Sequence, residues 1–322
     1  MYIRENLRWR VIWKYAWPGL LFFSIYDTII CYLYGPLGFR SLDIPWQPVG
    51  TLGVAVAFYV GFKNNGSYDR FWEGRKLWGG IVNYSRTWAI EALEFVTSVV
   101  DAPDVQAPPA SARELTERHR RMVYRQIAWV NALRLNLRRQ PELWDEAVAP
   151  FLEPAESAQL RGLANPPAQI LRAQAAEMRV LRESRGLLND FQHVTMVRVL
   201  EELLNLQGGC ERIKNTPFPR QYAYFSAVFV WMFALLLPLG LIGEFEHMGP
   251  SHFWLTVPFS VLVSWVYYTI EWVGHNSEDP FENEMNDVPM TAICRTIEID
   301  LRQMLGETNV PPKIEPVNDI LY

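Results

Sequence analysis

Two blocks of long apolar stretches, one towards each end of the chain, constrain the fold more than any other feature of the sequence. The hydrocarbon core of a bilayer is roughly 30 Å thick, and about 20 mostly apolar residues in a helix are needed to cross it. Stretches that approach this length lie at 11–34, 49–62, 222–243 and 252–272. No small-residue cleavage site follows the first stretch, which favours a retained helix over a signal peptide. The sequence therefore predicts an integral membrane protein with four transmembrane helices.

The charged residues collect between these two blocks and indicate how the chain is divided. Apolar residues in the middle of the chain recur at three- and four-residue spacing, which is typical of amphipathic helices, and no strand pattern interrupts them. We predict an all-α protein. Its expected parts are an N-terminal membrane region at 1–62, a cytoplasmic helical domain at 63–221, a C-terminal membrane hairpin at 222–272, and a cytoplasmic acidic segment, helix and tail at 273–322.

The distribution of lysine and arginine predicts the orientation of the membrane helices. Cations precede the first and third stretches and follow the second, whereas the connecting loops 35–48 and 244–251 hold a single one, Arg40. Because positive residues mark the cytoplasmic side of a membrane, we expect both termini and the middle region to be cytoplasmic. The formal net charge of −5 argues against nucleic acid as a partner, since nucleic-acid binding favours a basic footprint.

The sequence carries no usual signature of an enzyme. It has no P-loop, no HExxH and no GxSxG elbow, and its three cysteines lie too far apart in sequence to suggest a metal site. A lipid-modifying membrane enzyme would have to use Glu271, His275 and Glu278, which we interpret instead as solvated charge at a helix end. Asp27, inside the first predicted span, is either a pore or proton-relay carboxylate or a group that faces neighbouring helices or an aqueous cavity. We favour the second role.

The second apolar stretch has two informative rows of residues. Val54, Phe58 and Phe62 recur every four positions and share one helix face. Gly53, Ala57 and Gly61 form a second row at the same spacing, and small residues of this kind allow membrane helices to pack closely. The apolar face is either core or lipid-facing on a lone helix, or a stack of hydrophobic rings in a symmetric oligomer. The Asn64-Asn65-Gly66 sequence that follows weakens a helix and predicts a hinge.

Three sequence blocks together resemble the bestrophin family, and its bacterial branch in particular. The first is GFKNN at 61–65, continued by YDRFWE at 68–73 and by Arg75, Trp78 and Gly79. The second is GGCERI at 208–213, followed by Thr216, Pro217, Pro219 and Tyr222. The third is EDPF at 278–281 with Asn286, Asp287 and Pro289. The blocks occur in the family's order and span about 60 to 300, so the resemblance covers most of the chain.

This resemblance implies a homopentamer with four membrane segments per subunit and one central pore through a hydrophobic neck. The neck positions of the family match Val54, Phe58 and Phe62, and a second, cytoplasmic constriction matches Phe191 when counted back from Pro219 without a gap. Animal members conduct chloride and other anions, whereas some bacterial members favour cations. We therefore expect a monovalent ion channel in the bacterial inner membrane, with the lipid bilayer and the permeant ions as partners, and leave the sign of the ion open.

The acidic segment after the last predicted span raises the question of a bound cation. In animal bestrophins the matching segment helps to bind calcium, and Asp279, Glu284 and Asp287 are the oxygen ligands available here for a weak cation site. The run of acidic residues is broken, however, and Glu282 replaces the glycine usual after Pro-Phe. We expect a structural role for the segment, with no calcium gating, no other metal and no cofactor. The main alternative to a channel is a non-conducting membrane scaffold or assembly protein.

Overall fold

The computed structural model of the chain describes residues 1–98 and 110–322, and its secondary structure there is helical apart from two isolated β-bridges. The longer helices are α1 (Trp9–Tyr34), α2 (Trp46–Phe95), α3 (Ala112–Arg138), α6 (Pro166–Glu183), α7 (Asp190–Asn215), α8 (Arg220–Glu246), α9 (Thr256–His275) and α10 (Met290–Met304). Two short helices, α4 (Trp144–Ala147) and α5 (Pro154–Leu160), lie between α3 and α6. The prediction of an all-α protein is confirmed for these residues.

The chain forms two compact units. One unit consists of Arg4–Phe71 and Pro217–Asp279, and we call it the membrane unit. The larger unit consists of Met1–Ile3, Trp72–Thr216 and Pro280–Tyr322. These boundaries differ from the predicted domain limits at 62/63 and 272/273, because the residues that follow both predicted spans pack within the membrane unit.

Three helical stretches of the membrane unit are long and apolar enough to cross a bilayer. They are Trp9–Tyr34, Arg220–Glu246 and the pair of consecutive helices at His252–His275. They match the predicted spans 11–34, 222–243 and 252–272 closely. The predicted span at 49–62 is instead the first part of the 50-residue helix α2, whose apolar stretch ends at Lys63. A fourth span therefore remains a prediction.

Helix α1 has an inner face that packs in the membrane unit and an outer face of large apolar side chains. Gly19, Phe23 and Asp27 are among its buried residues, and a Cβ atom on Gly19 would lie 3.0 Å from the ring of Tyr268. Its outer residues recur mostly at every fourth position: Trp9, Trp13, Trp17, Leu21, Ile25, Ile29 and Tyr32 are all exposed. A helix with such an outer stripe is suited to contact with lipid or with another apolar surface.

The first part of α2 packs through a face that differs from the predicted row of small residues. Val49, Val56 and Val60 are buried in an apolar cluster with α8 side chains, including Phe233. Gly53 belongs to this contact, since a Cβ atom there would lie 2.7 Å from Phe233 Cε2. Ala57 and Gly61 are exposed in the single chain, so within it only Gly53 of this row packs closely against another helix. The buried positions follow the period of an α-helix, about 3.6 residues per turn. Residues spaced strictly by four positions therefore turn gradually away from the contact face.

The predicted hinge at Asn64-Asn65-Gly66 is also wrong, because α2 continues through these residues without a break. Asn64 donates a hydrogen bond from Nδ2 to the carbonyl oxygen of Ile270 at 2.9 Å. Gly66 lies against the ring of Phe218, where a Cβ atom would come within 3.0 Å of Cε2. These tertiary contacts offset the weak helix propensity of the three residues, which amounts to no more than about 1 kcal/mol each.

The core of the larger unit is built around α3. From Met122 to Leu137 nearly every residue of this helix is buried, and it packs against α6 and α10. Trp88 of α2 is completely buried and donates its indole N–H to the carbonyl oxygen of Met122 at 3.3 Å. Since burial of a tryptophan usually requires a partner for its N–H, this bond fixes α2 against α3.

Candidate pore site

The predicted neck residues lie on the exposed side of α2 in the single chain. Val54 is 59% exposed, and Phe58 and Phe62 are each 66% exposed. The side of α2 that carries Val56 and Val60 is buried against α8, so these three large side chains point away from the subunit's own core. A row of exposed apolar side chains of this kind marks a surface that contacts another subunit, lipid or a pore.

A buried lysine directly after Phe62 fixes this part of α2 to the end of α9. The side chain of Lys63 is 0% exposed, and its Nζ lies 2.6 Å from Glu271 Oε1 and 3.2 Å from Glu278 Oε1. A buried ammonium group is costly unless it is paired. The two carboxylates therefore hold the residue that follows Phe62 in one position.

Further polar contacts bring the first and third bestrophin-like blocks together. Arg70 donates from Nε to the carbonyl oxygen of Glu278 at 2.8 Å, and its Nη2 lies 3.4 Å from Asp279 Oδ1. At Gly274 a Cβ atom would collide with the side chain of Asn64, so a larger residue there would force that side chain to move. The resemblance in these two blocks therefore reflects one structural contact within the membrane unit.

The residues considered for a lipid-modifying site are engaged in this same cluster. Glu271 and Glu278 pair with Lys63, and His275 Nδ1 lies 3.7 Å from Glu278 Oε1. The side chain of Glu278 is only 4% exposed. Our interpretation of this group as solvated charge is therefore wrong, because the carboxylates neutralise a buried cation.

Sequence reasoning treated Lys63 only as one of the cations that mark the cytoplasmic side, and it missed the burial of this residue. A signal was present, since a lysine at the end of one predicted apolar stretch is matched by glutamates at the end of another. Opposite charges at the ends of two apolar segments can pair when those ends pack together.

Phe191 lies in the first turn of α7, the helix that also carries the GGCER block. Its exposure of 86% is the highest among the large apolar side chains of the described residues. A capping box holds this turn: Asn189 accepts from the backbone N–H of Gln192 at 2.8 Å, and Gln192 accepts from that of Asn189 at 3.0 Å. The phenyl ring is thus presented to the outside by a rigid helix start.

The glycines of the GGCER block allow α7 to approach α2 within the larger unit. A Cβ atom on Gly209 would lie 2.8 Å from a methyl carbon of Leu77, and one on Gly80 would lie 2.8 Å from a methyl carbon of Leu206. Each helix thus places a leucine over a glycine of the other, and larger residues at the glycine positions would force the helices apart.

Two of the three candidate cation ligands, Asp279 and Asp287, have other partners. Asp279 lies beside Arg70 in the membrane unit. Asp287, in the larger unit, is 2% exposed and accepts a hydrogen bond from the backbone N–H of Glu284 at 3.0 Å. Burial raises the pKa of the Asp287 carboxyl, although this hydrogen bond opposes the shift. Within the described residues, no three His, Cys, Asp or Glu side chains come together in a group able to hold a metal ion.

Comparison with known proteins gives the family of the chain. A family model described as bacterial and fungal bestrophin protein matches residues 7–303. The chain belongs to the bestrophin family. The resemblance drawn from the three blocks is thereby confirmed for most of the sequence.

Two bestrophin relatives illustrate how far the similarity extends. The voltage-dependent anion channel-forming protein YneE of Escherichia coli O157:H7 is 34% identical over 294 residues, which cover 91% of this chain and 87% of that protein. A voltage-dependent anion channel-forming protein of Mesorhizobium japonicum is 30% identical over 307 residues, which cover 95% of this chain and 89% of the relative.

The fold is also that of solved bestrophins. The crystal structure of a bacterial bestrophin homologue from Klebsiella pneumoniae matches with a TM-score of 0.77 and 29% sequence identity, covering 90% of this chain and 98% of that one. Family membership and three helices suited to span a bilayer identify the chain as a membrane protein.

Proposed function

We propose that this bestrophin is a homopentameric channel of the bacterial inner membrane that conducts monovalent ions through a central pore. In this proposal α2 supplies the fourth membrane segment of each subunit through residues 49–62. Val54, Phe58 and Phe62 from five subunits form stacked apolar rings around the axis. Both termini and the larger unit lie in the cytoplasm, as the distribution of lysine and arginine favours.

The observation that carries the proposal is the exposed apolar row on α2. Its three side chains are 59%, 66% and 66% exposed, although they lie on a helix whose other side is buried against α8. Apolar rings of this kind can gate a pore by dewetting, and they exclude neither sign of ion by themselves. The buried pairing of Lys63 supports the same proposal, because it restricts rotation of the row about the helix axis.

Phe191 is the proposed second constriction. It is the most exposed large apolar residue in the described part of the chain, and the capping box at Asn189 gives it a fixed orientation. A ring of such side chains at a helix start would narrow a pore without requiring a mobile loop.

The names of the relatives favour anions as the permeant ions, since YneE and the Mesorhizobium protein are both called anion channel-forming. We therefore extend the proposal to an anion channel, with chloride as the test ion. Asp279, Glu284 and Asp287 are proposed to stabilise the segment around them and not to gate the channel with calcium, because Arg70 and a backbone N–H already occupy two of them.

The proposal is tested by reconstituting the purified protein and recording from planar bilayers under a KCl gradient. We expect single-channel currents whose reversal potential shifts towards the chloride Nernst potential, with an open probability that micromolar calcium does not change. A shift towards the potassium Nernst potential would contradict the proposed anion selectivity but would still support a pore. Absence of current from protein that remains an intact oligomer would favour the non-conducting scaffold.

Substitutions in the neck separate a pore from a packing surface. Phe58→Ala and Phe62→Ala are expected to change single-channel conductance or open probability roughly severalfold, while the oligomer stays intact. Ile25→Ala is the matched control, because Ile25 is an exposed apolar residue of α1 at 53% exposure. If the phenylalanine variants alter only assembly or stability, the row is an interface and the neck assignment is wrong.

A further inference from the structure

Two arginines near the end of α3 lack the acidic partners that Arg118 and Arg125 of the same helix have. Arg125 forms a bidentate pair with Glu156 at 2.7 and 3.0 Å, and Arg118 pairs with Glu177 at 2.6 Å. No carboxylate among the described residues lies within salt-bridge distance of Arg134 or Arg138. Both are held instead by a neutral group, the hydroxyl of Thr291, which accepts from Arg134 Nη1 at 3.3 Å and from Arg138 Nη1 at 2.6 Å.

Several N–H groups of these two guanidiniums are buried without an acceptor. They are Nε of Arg134 and both Nε and Nη2 of Arg138. Arg134 as a whole is only 8% exposed, and its remaining bond is a long one of 3.4 Å from Nη2 to Asn131 Oδ1. Buried polar groups in native proteins normally have partners, so a set of orphaned charged donors indicates a missing acceptor.

The surrounding charges do not supply that acceptor. Burial, followed by the proximity of Arg134, lowers the pKa of Arg138 to about 10, although Asp287 and Cys294 act in the opposite direction. The last turn of α3 contributes the negative end of its helix dipole, which is equivalent to only about half a charge. Arg134 and Arg138 are therefore neighbouring cations with no carboxylate bound directly to either of them in the described structure.

A cavity of about 320 Å³ opens beside Arg134 and Thr291. It is lined by Arg134, Asn131 and Thr291, together with Arg295 and Glu298 of α10. Glu298 is already paired with Arg295 and Arg302 at 3.2 Å each, so it does not neutralise Arg134. The exposed Glu146 also lies at the cavity. This volume is at the small end of the range for ligand sites in proteins.

We propose that Arg134, Arg138 and Thr291, which the proposed pore does not use, form a binding site for a small phosphate oxyanion in the larger unit. The planar guanidinium fork matches the geometry of phosphate oxygens and can bind them through two parallel N–H groups. A divalent tetrahedral anion accepts several hydrogen bonds at once, which suits the orphaned donors better than a halide ion does. The backbone N–H of Ala292 is already taken by the carbonyl oxygen of Tyr322, so the arginines carry the site and the start of α10 does not.

The site is tested by equilibrium dialysis of the purified full-length oligomer against radiolabelled inorganic phosphate, at constant ionic strength with gluconate as the other anion. We expect saturable binding of one phosphate per subunit. Arg134→Gln and Arg138→Gln should each weaken binding by at least about tenfold, because each removes a charged fork. Arg139→Gln, an exposed position beside them with the same loss of charge, should change binding by less than about twofold.

Further arms of the experiment identify the ligand and guard against misfolded variants. If glycerol phosphate and unlabelled inorganic phosphate both displace the labelled phosphate, the ligand of the site is a phosphate ester. If only inorganic phosphate displaces it, the ligand is the free ion. Displacement by chloride at equal concentration would overturn the oxyanion assignment. If the glutamine variants fail to fold, Arg138→Lys takes their place, because it keeps the charge but loses the fork. This variant should bind phosphate severalfold more weakly than the wild type. Absence of saturable binding to the wild type, or undiminished binding to the arginine variants, would overturn the site.

Discussion

At the scale of single residues, Asp27 and Lys63 are two ionisable side chains that are buried in the membrane unit and have opposite surroundings. Neither oxygen of Asp27 has a hydrogen-bond partner among the described residues, and the side chain faces the hydroxyl of Ser260. Lys63 is equally buried but has two carboxylates within 3.2 Å. Asp27 thus faces neighbouring helices, as we favoured from the sequence, and Lys63 is the charge that joins two elements.

We predict that Lys63→Met destabilises the protein by about 3 kcal/mol or more, because it leaves two largely buried carboxylates facing each other without a cation. The measurement is the apparent melting temperature of the purified oligomer, followed by tryptophan fluorescence. Lys76→Met is the control, since Lys76 lies on the same helix and is exposed.

Restoring neutrality tests the cause of that loss. The triple variant Lys63→Met, Glu271→Gln, Glu278→Gln removes all three charges and should recover part of the stability lost in Lys63→Met. A Lys63→Met protein as stable as the wild type would mean that the pairing does not hold α2 against α9.

At the scale of elements, the contact between α2 and α8 depends on Gly53. We predict that Gly53→Ala destabilises the membrane unit by roughly 1–3 kcal/mol, because the added methyl group overlaps the ring of Phe233. Gly61→Ala is the matched control on the same helix. It has no heavy atom within 4 Å of the added Cβ, so it should be neutral or stabilising by up to about 1 kcal/mol.

Thermal unfolding of the two glycine variants in the same detergent provides the comparison. Equal effects would contradict the close approach of α2 and α8 at Gly53. A destabilising Gly61→Ala would indicate instead that this face of α2 is covered by a neighbouring subunit.

Helix α2 also illustrates how far the sequence determines a structure of this kind. The four-residue spacing predicted correctly that Val54, Phe58 and Phe62 share one face. It did not predict that Ala57 and Gly61 stay exposed, because the position of α8 decides which side of the helix is buried. The absence of the hinge has the same origin, since the partners of Asn64 and Gly66 come from residues about 150 to 200 positions later in the chain. Local propensity cannot include such contacts.

The candidate sites differ in how visible they are in the sequence. The proposed neck residues and Phe191 were assigned from the family motifs, which fix positions by counting along the chain. The burial of Lys63 and the lack of acidic partners at Arg134 and Arg138 depend on which side chains surround them in three dimensions. Charged residues on amphipathic helices are normally interpreted as solvent-exposed. The sequence pattern alone therefore does not indicate that Lys63 and Arg134 are buried.

At the scale of the whole molecule, the proposed assembly makes a direct prediction about mass. Native mass spectrometry of the detergent-solubilised protein should give a complex of about 187 kDa, that is five copies of the 37.4 kDa chain in a closed ring. Phe191→Ser should leave this mass unchanged if the residue lies in a pore. A stable monomer or dimer that still conducts would contradict a central pore built from five α2 helices.

In the proposed channel, each subunit provides its neck through a single row on one helix, which has a consequence for rings that mix two forms of the protein. In a closed ring of five, an altered row on any one subunit lies in the same constriction as the four wild-type rows. If two alleles were expressed equally and assembled at random, only about 3% of the rings would consist entirely of sound subunits. A neck variant co-expressed with the wild type is therefore expected to be dominant, whereas a variant whose subunit does not fold would be recessive because that subunit never joins a ring.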